Sequence, residues 1–166
     1  MEPRPLSRRE FDRFTEALDY PMFVVTTTDG QERSGCLVGF TTQTGIDPPR
    51  FLVCLSDKNH TMRVATRAQA LGVHLLGEHQ HGLAELFGAQ TSDEVDKFER
   101  CSWAPGPFGV PLLDECPRRV VGRILEHVPL GDHVGFLLEP LAVDAADDAE
   151  ALTLRDVSDV EPGHDP

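Results

Sequence analysis

The sequence predicts a mainly β fold, an antiparallel β-barrel with short helices. Three observations carry this. Short β-branched or aromatic runs recur along the chain, separated by turn residues. Strands and helices do not alternate regularly, as a parallel βαβ fold would require. The chain has 166 residues, 40% of them apolar, and a chain of this length buries roughly 70% of its unfolded surface. A single domain over 1–166 is therefore expected, with its core at about 20–156, a helix at 8–18 and a tail at 157–166.

The elements follow in order. Ser7-Arg8-Arg9-Glu10 fits a capping box, with Leu6 and Phe11 placed for a hydrophobic staple. Phe11, Phe14 and Leu18 recur at helical spacing, predicting an amphipathic helix over 8–18 that stops before Pro21. Residues 22–27 read as a strand, Asp29-Gly30 as a hairpin turn and 33–40 as the returning strand. An irregular connection through Pro48-Pro49 leads to a strand at 50–55 and a polar loop at 56–61. Then come a short helix at 61–68, a strand at 71–76 and a short helix at 80–87 with Leu83, Leu86 and Phe87 inward. Thr91-Ser92-Asp93-Glu94 is a second capping-box pattern, opening a turn with Val95 and Phe98. Residues 104–111 are loop by composition. Strands at 118–128 and 133–143 flank a turn at 129–132. An acidic loop at 144–150, a short strand at 152–154 and a tail that frays complete the chain.

Fifteen Lys and Arg against 28 Asp and Glu give a formal charge of −13. That disfavours nucleic acid, whose phosphates need basic patches. No stretch approaches the ~20 apolar residues of a membrane helix, and MEPRPLSRREF has no apolar run, so no signal peptide is expected. Cys36, Cys54, Cys101 and Cys116 are widely spaced without CxxC. A reduced, cytoplasmic chain is the expectation.

The stretch 35–61 holds the candidate site. Asn59 and Thr61 stand at a helix start, where they could cap it or bind a phosphate, with Lys58 and Arg63 adding charge. Gly35 and Gly39 mark either a barrel bend or the close approach of a ligand. Gly39-Phe40-Thr41-Thr42 could present main-chain groups to the polar edge of a planar ring. His74, His79 and His81 cluster in sequence, but their convergence on a metal is not expected. His133 follows the Gly131-Asp132 turn and either faces a cleft or is solvated. GxSxG, Walker-type and GxGxxG motifs are absent, so a nicotinamide dinucleotide would not be held by a Rossmann turn.

These residues, in order and spacing over about 20–145, resemble the flavin reductase-like proteins with an FMN-binding split barrel, of antiparallel Greek-key type. The matching positions are Gly35, Thr42, Asp47-Pro48-Pro49, Val53-Cys54-Leu55 and Thr61. Leu83-Ala84 with Phe87, Asp96-Lys97-Phe98, Trp103-x-Pro-Gly, Pro111-Leu112-Leu113-Asp114 and Gly131-Asp132-His133 extend the match. The resemblance implies that Leu37, Val38, Gly39, Phe40, Thr41 and Thr42 frame the isoalloxazine. It implies that Ser56, Asn59, His60 and Thr61 take the phosphate of FMN (or FAD), with Lys97 a further charge nearby. It places His133 on the nicotinamide side as the catalytic candidate. NAD(P)H would pass hydride to flavin N5, and reduced flavin would go to a partner monooxygenase or another acceptor. A homodimer with flavin near the interface is implied as well. The sequence departs from the family at Gly39-Phe40, where Asn-Ser is usual, at Asn59, where Ser is usual, and in 152–166, which lacks the family's aromatic. A flavin-binding or sensing module without turnover is the alternative that the lost Asn-Ser pair favours; a split barrel holding haem or a deazaflavin is a third.

Overall fold

The computed structural model describes residues 1–89, 96–145 and 149–162. The capping-box pattern at Thr91–Glu94 and Val95 lies outside them. Helix α1 (Arg8–Thr15) opens with the expected capping box: the Ser7 hydroxyl accepts from the Glu10 amide, and the Glu10 carboxylate accepts from the Ser7 amide at 2.8 Å. It ends at Thr15 rather than at residue 18 and buries no residue. Leu6 and Phe11, whose spacing suits a staple, both remain exposed.

Strands β1 (Phe23–Thr28) and β2 (Arg33–Val38) form the expected hairpin, with Gly30 at φ +91° in the left-handed region that favours glycine. Residues 41–46, expected to be irregular, are strand β3 (Thr41–Ile46), paired antiparallel with β4 (Pro49–Ser56). Its side chains are mostly exposed because it is the sheet edge, and its register shifts between Gln43 and Gly45 as a bulge does. Helix α2 (His60–Ala65), β5 (Ala70–Leu75) and α3 (His81–Ala89) follow as expected in type. Residues 103–113, part of which was expected to be loop, hold a small hairpin, β6 (Trp103–Pro105) and β7 (Pro111–Leu113), around a 3-10 turn at Pro107–Gly109. Strands β8 (Arg118–Leu130) and β9 (His133–Ala145) are longer than expected and leave only Gly131-Asp132 in the turn. Residues 152–154 form no ladder strand; single bridges tie Thr153 to Pro21 and Ala151 to Gly77.

The main sheet has seven strands in the order β2-β1-β5-β8-β9-β4-β3, every pair antiparallel. It curls around one core, because Val25, Cys36, Val53, Leu55, Val73, Phe136 and Leu138 from five strands pack together. Each large apolar side chain buried this way contributes about 1.5–3 kcal/mol. A second core lies outside the sheet, where Met22, Val24, Leu76, Leu83, Phe87, Phe98 and Leu152 meet beneath α3. Val24 and Val25 serve different cores because successive strand residues face opposite ways. This is the mainly β antiparallel barrel that the sequence predicts.

Candidate functional site

Three separated segments converge at one end of the barrel. Beyond Val38 the chain leaves β2, and Gly39-Phe40 cross to β3 outside any strand. A Cβ on Gly39 would sit 3.2 Å from the Met22 sulfur, so a small residue suits this crossing. The Phe40 carbonyl accepts from the Cys54 amide at 2.9 Å and ties the crossing to β4. Beyond Ser56, Asn59 caps α2, its Oδ1 accepting from the Thr61 amide at 2.8 Å. The third segment enters through Gly131, at φ +77°, which turns β8 into β9. The Asp132 carbonyl accepts from the Asp57 amide at 2.9 Å, and His133 pairs with Ser56 in the β4–β9 ladder.

These segments bound a cavity of about 240 Å³. Of the residues singled out from sequence, Leu37, Val38, Gly39, Phe40, Ser56, Asn59 and His133 line it. Tyr20, Met22, Cys36, Cys54, Leu55 and Leu154 complete the lining. Most of the wall is aliphatic or aromatic, and polar side chains are supplied by Ser56, Asn59 and His133. The His133 Nδ1 lies 2.8 Å from the Asp132 carboxylate, which fixes the ring and leaves Nε2 for other partners. That bond, with the imidazole beside it, holds the Asp132 carboxyl below its ordinary pKa. The Phe40 ring packs on His133 with centroids 5.1 Å apart and meets Tyr20 edge-on at 5.7 Å.

The other singled-out residues lie off this cavity. Thr41 and Thr42 open β3, opposite Val53 and Leu52. The His60 ring is 3.0 Å from Glu32 and turns toward the β1–β2 turn. Thr61 is fully buried and shares a 2.8 Å hydrogen bond with the Ser34 hydroxyl. Lys97 is buried, its ammonium donating to the Gly35 and Phe87 carbonyls at 3.0 Å each. Burial lowers its pKa, opposed by the nearby Cys36. Burial likewise pushes the Cys36 thiol up to about 11, keeping it protonated despite Lys97.

Tyr20 and Leu154 carried no sequence signal for the site. They meet because the Leu154 amide donates to the Tyr20 carbonyl at 2.8 Å, across a sequence separation that no local pattern reports. His74, His79 and His81 do not converge on a metal. His74 spends Nδ1 on the Val24 carbonyl at 3.0 Å and accepts the Leu113 amide on Nε2 at 3.1 Å. His81 pairs with Asp159 at 2.9 Å. Among the described residues no His, Cys, Asp or Glu group has the arrangement to hold a metal ion. A larger apolar groove of about 510 Å³, between Phe23, Phe51, Val120 and Val143, contains none of the singled-out residues. Among the described residues no helix is long and apolar enough to cross a membrane.

Comparison with known proteins bears on the family and the fold. Residues 15–159 match the flavin reductase like domain. The chain is 26% identical over 151 residues to the ferric-chelate reductase (NAD(P)H) of Archaeoglobus fulgidus, covering 90% of this chain and 89% of that one. It is 28% identical over 110 residues to the FMN reductase (NADH) RutF of Bradyrhizobium diazoefficiens, covering 66% of this chain and only 61% of that longer relative. Its fold matches BorF, the flavin reductase component of a bacterial two-component tryptophan halogenase, with a TM-score of 0.79 and 22% identity over 92% of this chain and 96% of that one. With 145 consecutive residues matched and the split-barrel fold in common, the chain belongs to the flavin reductase-like family.

Proposed function

We propose that this protein is an NAD(P)H-dependent flavin reductase that holds FMN, or FAD, in the cavity between residues 37–40, Ser56–Asn59 and His133. The observation that carries this reading is the convergence of those three segments on one cavity whose lining mixes apolar side chains with Ser56, Asn59 and His133. At about 240 Å³ it is smaller than the roughly 300–1,000 Å³ of pockets that engulf a drug-sized ligand. It therefore suits the planar head of a flavin, with the ribityl phosphate left at the rim. Bound flavin supplies the two-electron chemistry.

The chain's own residues bind, orient and exclude water. Leu37, Val38 and Leu55 give a dry wall to a planar ring. The main chain at Gly39-Phe40 is what this crossing offers the ring's polar edge for stabilising charge, since Phe40 brings no polar side chain. Asn59 has committed Oδ1 to the Thr61 amide, so its NH₂ is what it offers a phosphate. The Ser56 hydroxyl accepts from the Lys58 amide at 3.3 Å and keeps its own hydrogen to donate. Thr61 and Lys97 support this floor from inside the barrel rather than by contact with ligand. His133, oriented by Asp132, stands on the nicotinamide side.

The protein acts as a single domain in the cytoplasm, consistent with its four free cysteines and the long family match. It assembles as a homodimer; the 510 Å³ apolar groove, with exposed Ile46 and Val143 on the strands beside it, supports this. It hands reduced flavin to a partner monooxygenase or another acceptor, in keeping with the two-component relative. The test is anaerobic mixing of protein, FMN and NADH or NADPH, read at the visible flavin band. Bleaching well above the protein-free rate is expected. A rate no faster than without protein, alongside measurable FMN binding, would leave the flavin-binding or sensing module that Gly39-Phe40 favours.

A further inference from the structure

Phe40 is a large apolar side chain held at the rim of a binding cavity, yet it remains 49% exposed. It belongs to neither core cluster. Its described ring contacts are two other rings, His133 at 5.1 Å with a 49° tilt and Tyr20 at 5.7 Å edge-on. Both partners line the same cavity. Phe40 follows Gly39, and these two residues lie between β2 and β3 rather than in a strand. A side chain in such a place can rotate without disturbing a ladder or a core.

The contact with His133 has a direct consequence. The imidazole is held by Asp132 on its Nδ1 side, and the His133 backbone is fixed opposite Ser56 in the β4–β9 ladder. Its side chain is 25% exposed, and the Phe40 ring covers part of the face that it turns to the cavity. A second planar ring approaching His133 must share that face with Phe40 or displace it.

We propose that Phe40 gates the nicotinamide side of the cavity, its ring occupying the face of His133 until the nicotinamide takes its place. This rests on the flavin reductase reading above. Offset or edge-on aromatic pairs are individually weak, so the gate opens at modest cost and lowers apparent nicotinamide affinity without closing the site. Phe40→Ala removes the competitor. KM for NAD(P)H should fall roughly three- to ten-fold, the size of one to two such contacts. Phe40→Trp keeps a ring on His133 and should not lower KM.

The decisive readouts are equilibrium ones on protein loaded with FMN. Dissociation constants for NAD⁺ should fall in Phe40→Ala by the same factor as KM. In the wild type, NMR signals of the His133 ring carry the ring-current shift of Phe40, and saturating NAD⁺ should replace it with a different one. An equal or weaker NAD⁺ affinity in Phe40→Ala, or a His133 shift unmoved at saturation, overturns the gate while leaving the reductase reading intact. Absence of FMN binding to the wild type, read by flavin fluorescence, overturns the reductase reading and the gate with it.

Discussion

His74 gives a prediction whose sign and size follow from the structure. The ring is fully buried, with Nδ1–H donating to the Val24 carbonyl and Nε2 accepting the Leu113 amide. That pattern requires the neutral tautomer, because a protonated ring would set its Nε2–H against the Leu113 N–H, donor against donor. Burial lowers its pKa from 6.5 to about 4; the Val24 hydrogen bond opposes the shift, and the Arg119 charge adds to it. The folded pKa is depressed, so this stability is present above about pH 6.5 and is lost as pH falls toward 4. Over the whole window it amounts to about 3 kcal/mol, and between about pH 7.5 and 5 to about 2 kcal/mol. Other groups do not mask this. The Asp29 carboxyl is held at about 2 by amide hydrogen bonds and Arg67, and that of Glu10 at about 2 by Arg4 and Ser7, so both titrate lower. His81, raised by Asp159, acts with the opposite sign in both proteins compared. His74→Phe abolishes the titration and leaves the Leu113 amide unpaired, costing about 1–3 kcal/mol near neutral pH. Urea unfolding followed by Trp103 fluorescence at the two pH values measures both. Wild type should lose about 2 kcal/mol on acidification, and the variant far less. An equal loss in the two proteins would refute the assignment of this titration to His74.

Three further outcomes separate contact from support. Thr61→Ala should lower stability by about 1–2 kcal/mol, since it strips the buried Ser34 hydroxyl of its partner. FMN affinity, measured by fluorescence titration, should change little; a large loss would restore Thr61 as a phosphate ligand. Lys97→Met should lower the unfolding midpoint, because the Gly35 and Phe87 carbonyls lose a charged donor worth about 1–3 kcal/mol. Its FMN dissociation constant should stay near the wild-type value, and a marked rise would place the ammonium at the ligand. His133→Ala should impair NAD(P)H-dependent reduction in stopped-flow mixing while sparing FMN affinity; equal loss of both would mean a structural role.

Strands rich in apolar, buried side chains announced themselves in the sequence, as at 22–27 and 50–55. Strand β3 did not: Thr41-Thr42-Gln43-Thr44 is polar on both faces because an edge strand is recognised by its hydrogen-bonding partner, not by burial. The cavity wall at 37–40 and the polar rim at Ser56, Asn59 and His133 were legible from local pattern and family likeness. Thr61 and Lys97 have partners that the sequence alone does not report. A hydroxyl and an ammonium look like ligand donors, and only the fold shows that Ser34 and two carbonyls, 27 to 62 residues away for the more distant contacts, already hold them. Tyr20 with Leu154 illustrates the same blindness to long-range pairing.

Strand β1 sends Val24 to one core and Val25 to the other. Adding or deleting one residue within 23–28 would swap the two sets of side chains and scramble both interiors at once. The crossing at Gly39-Phe40 and the turn at Gly131-Asp132 carry no such constraint, for neither contributes to an interior. The strands are thus constrained in length, whereas these two connections are constrained in residue type, Gly39 by its closeness to the Met22 sulfur and Gly131 by its φ of +77°.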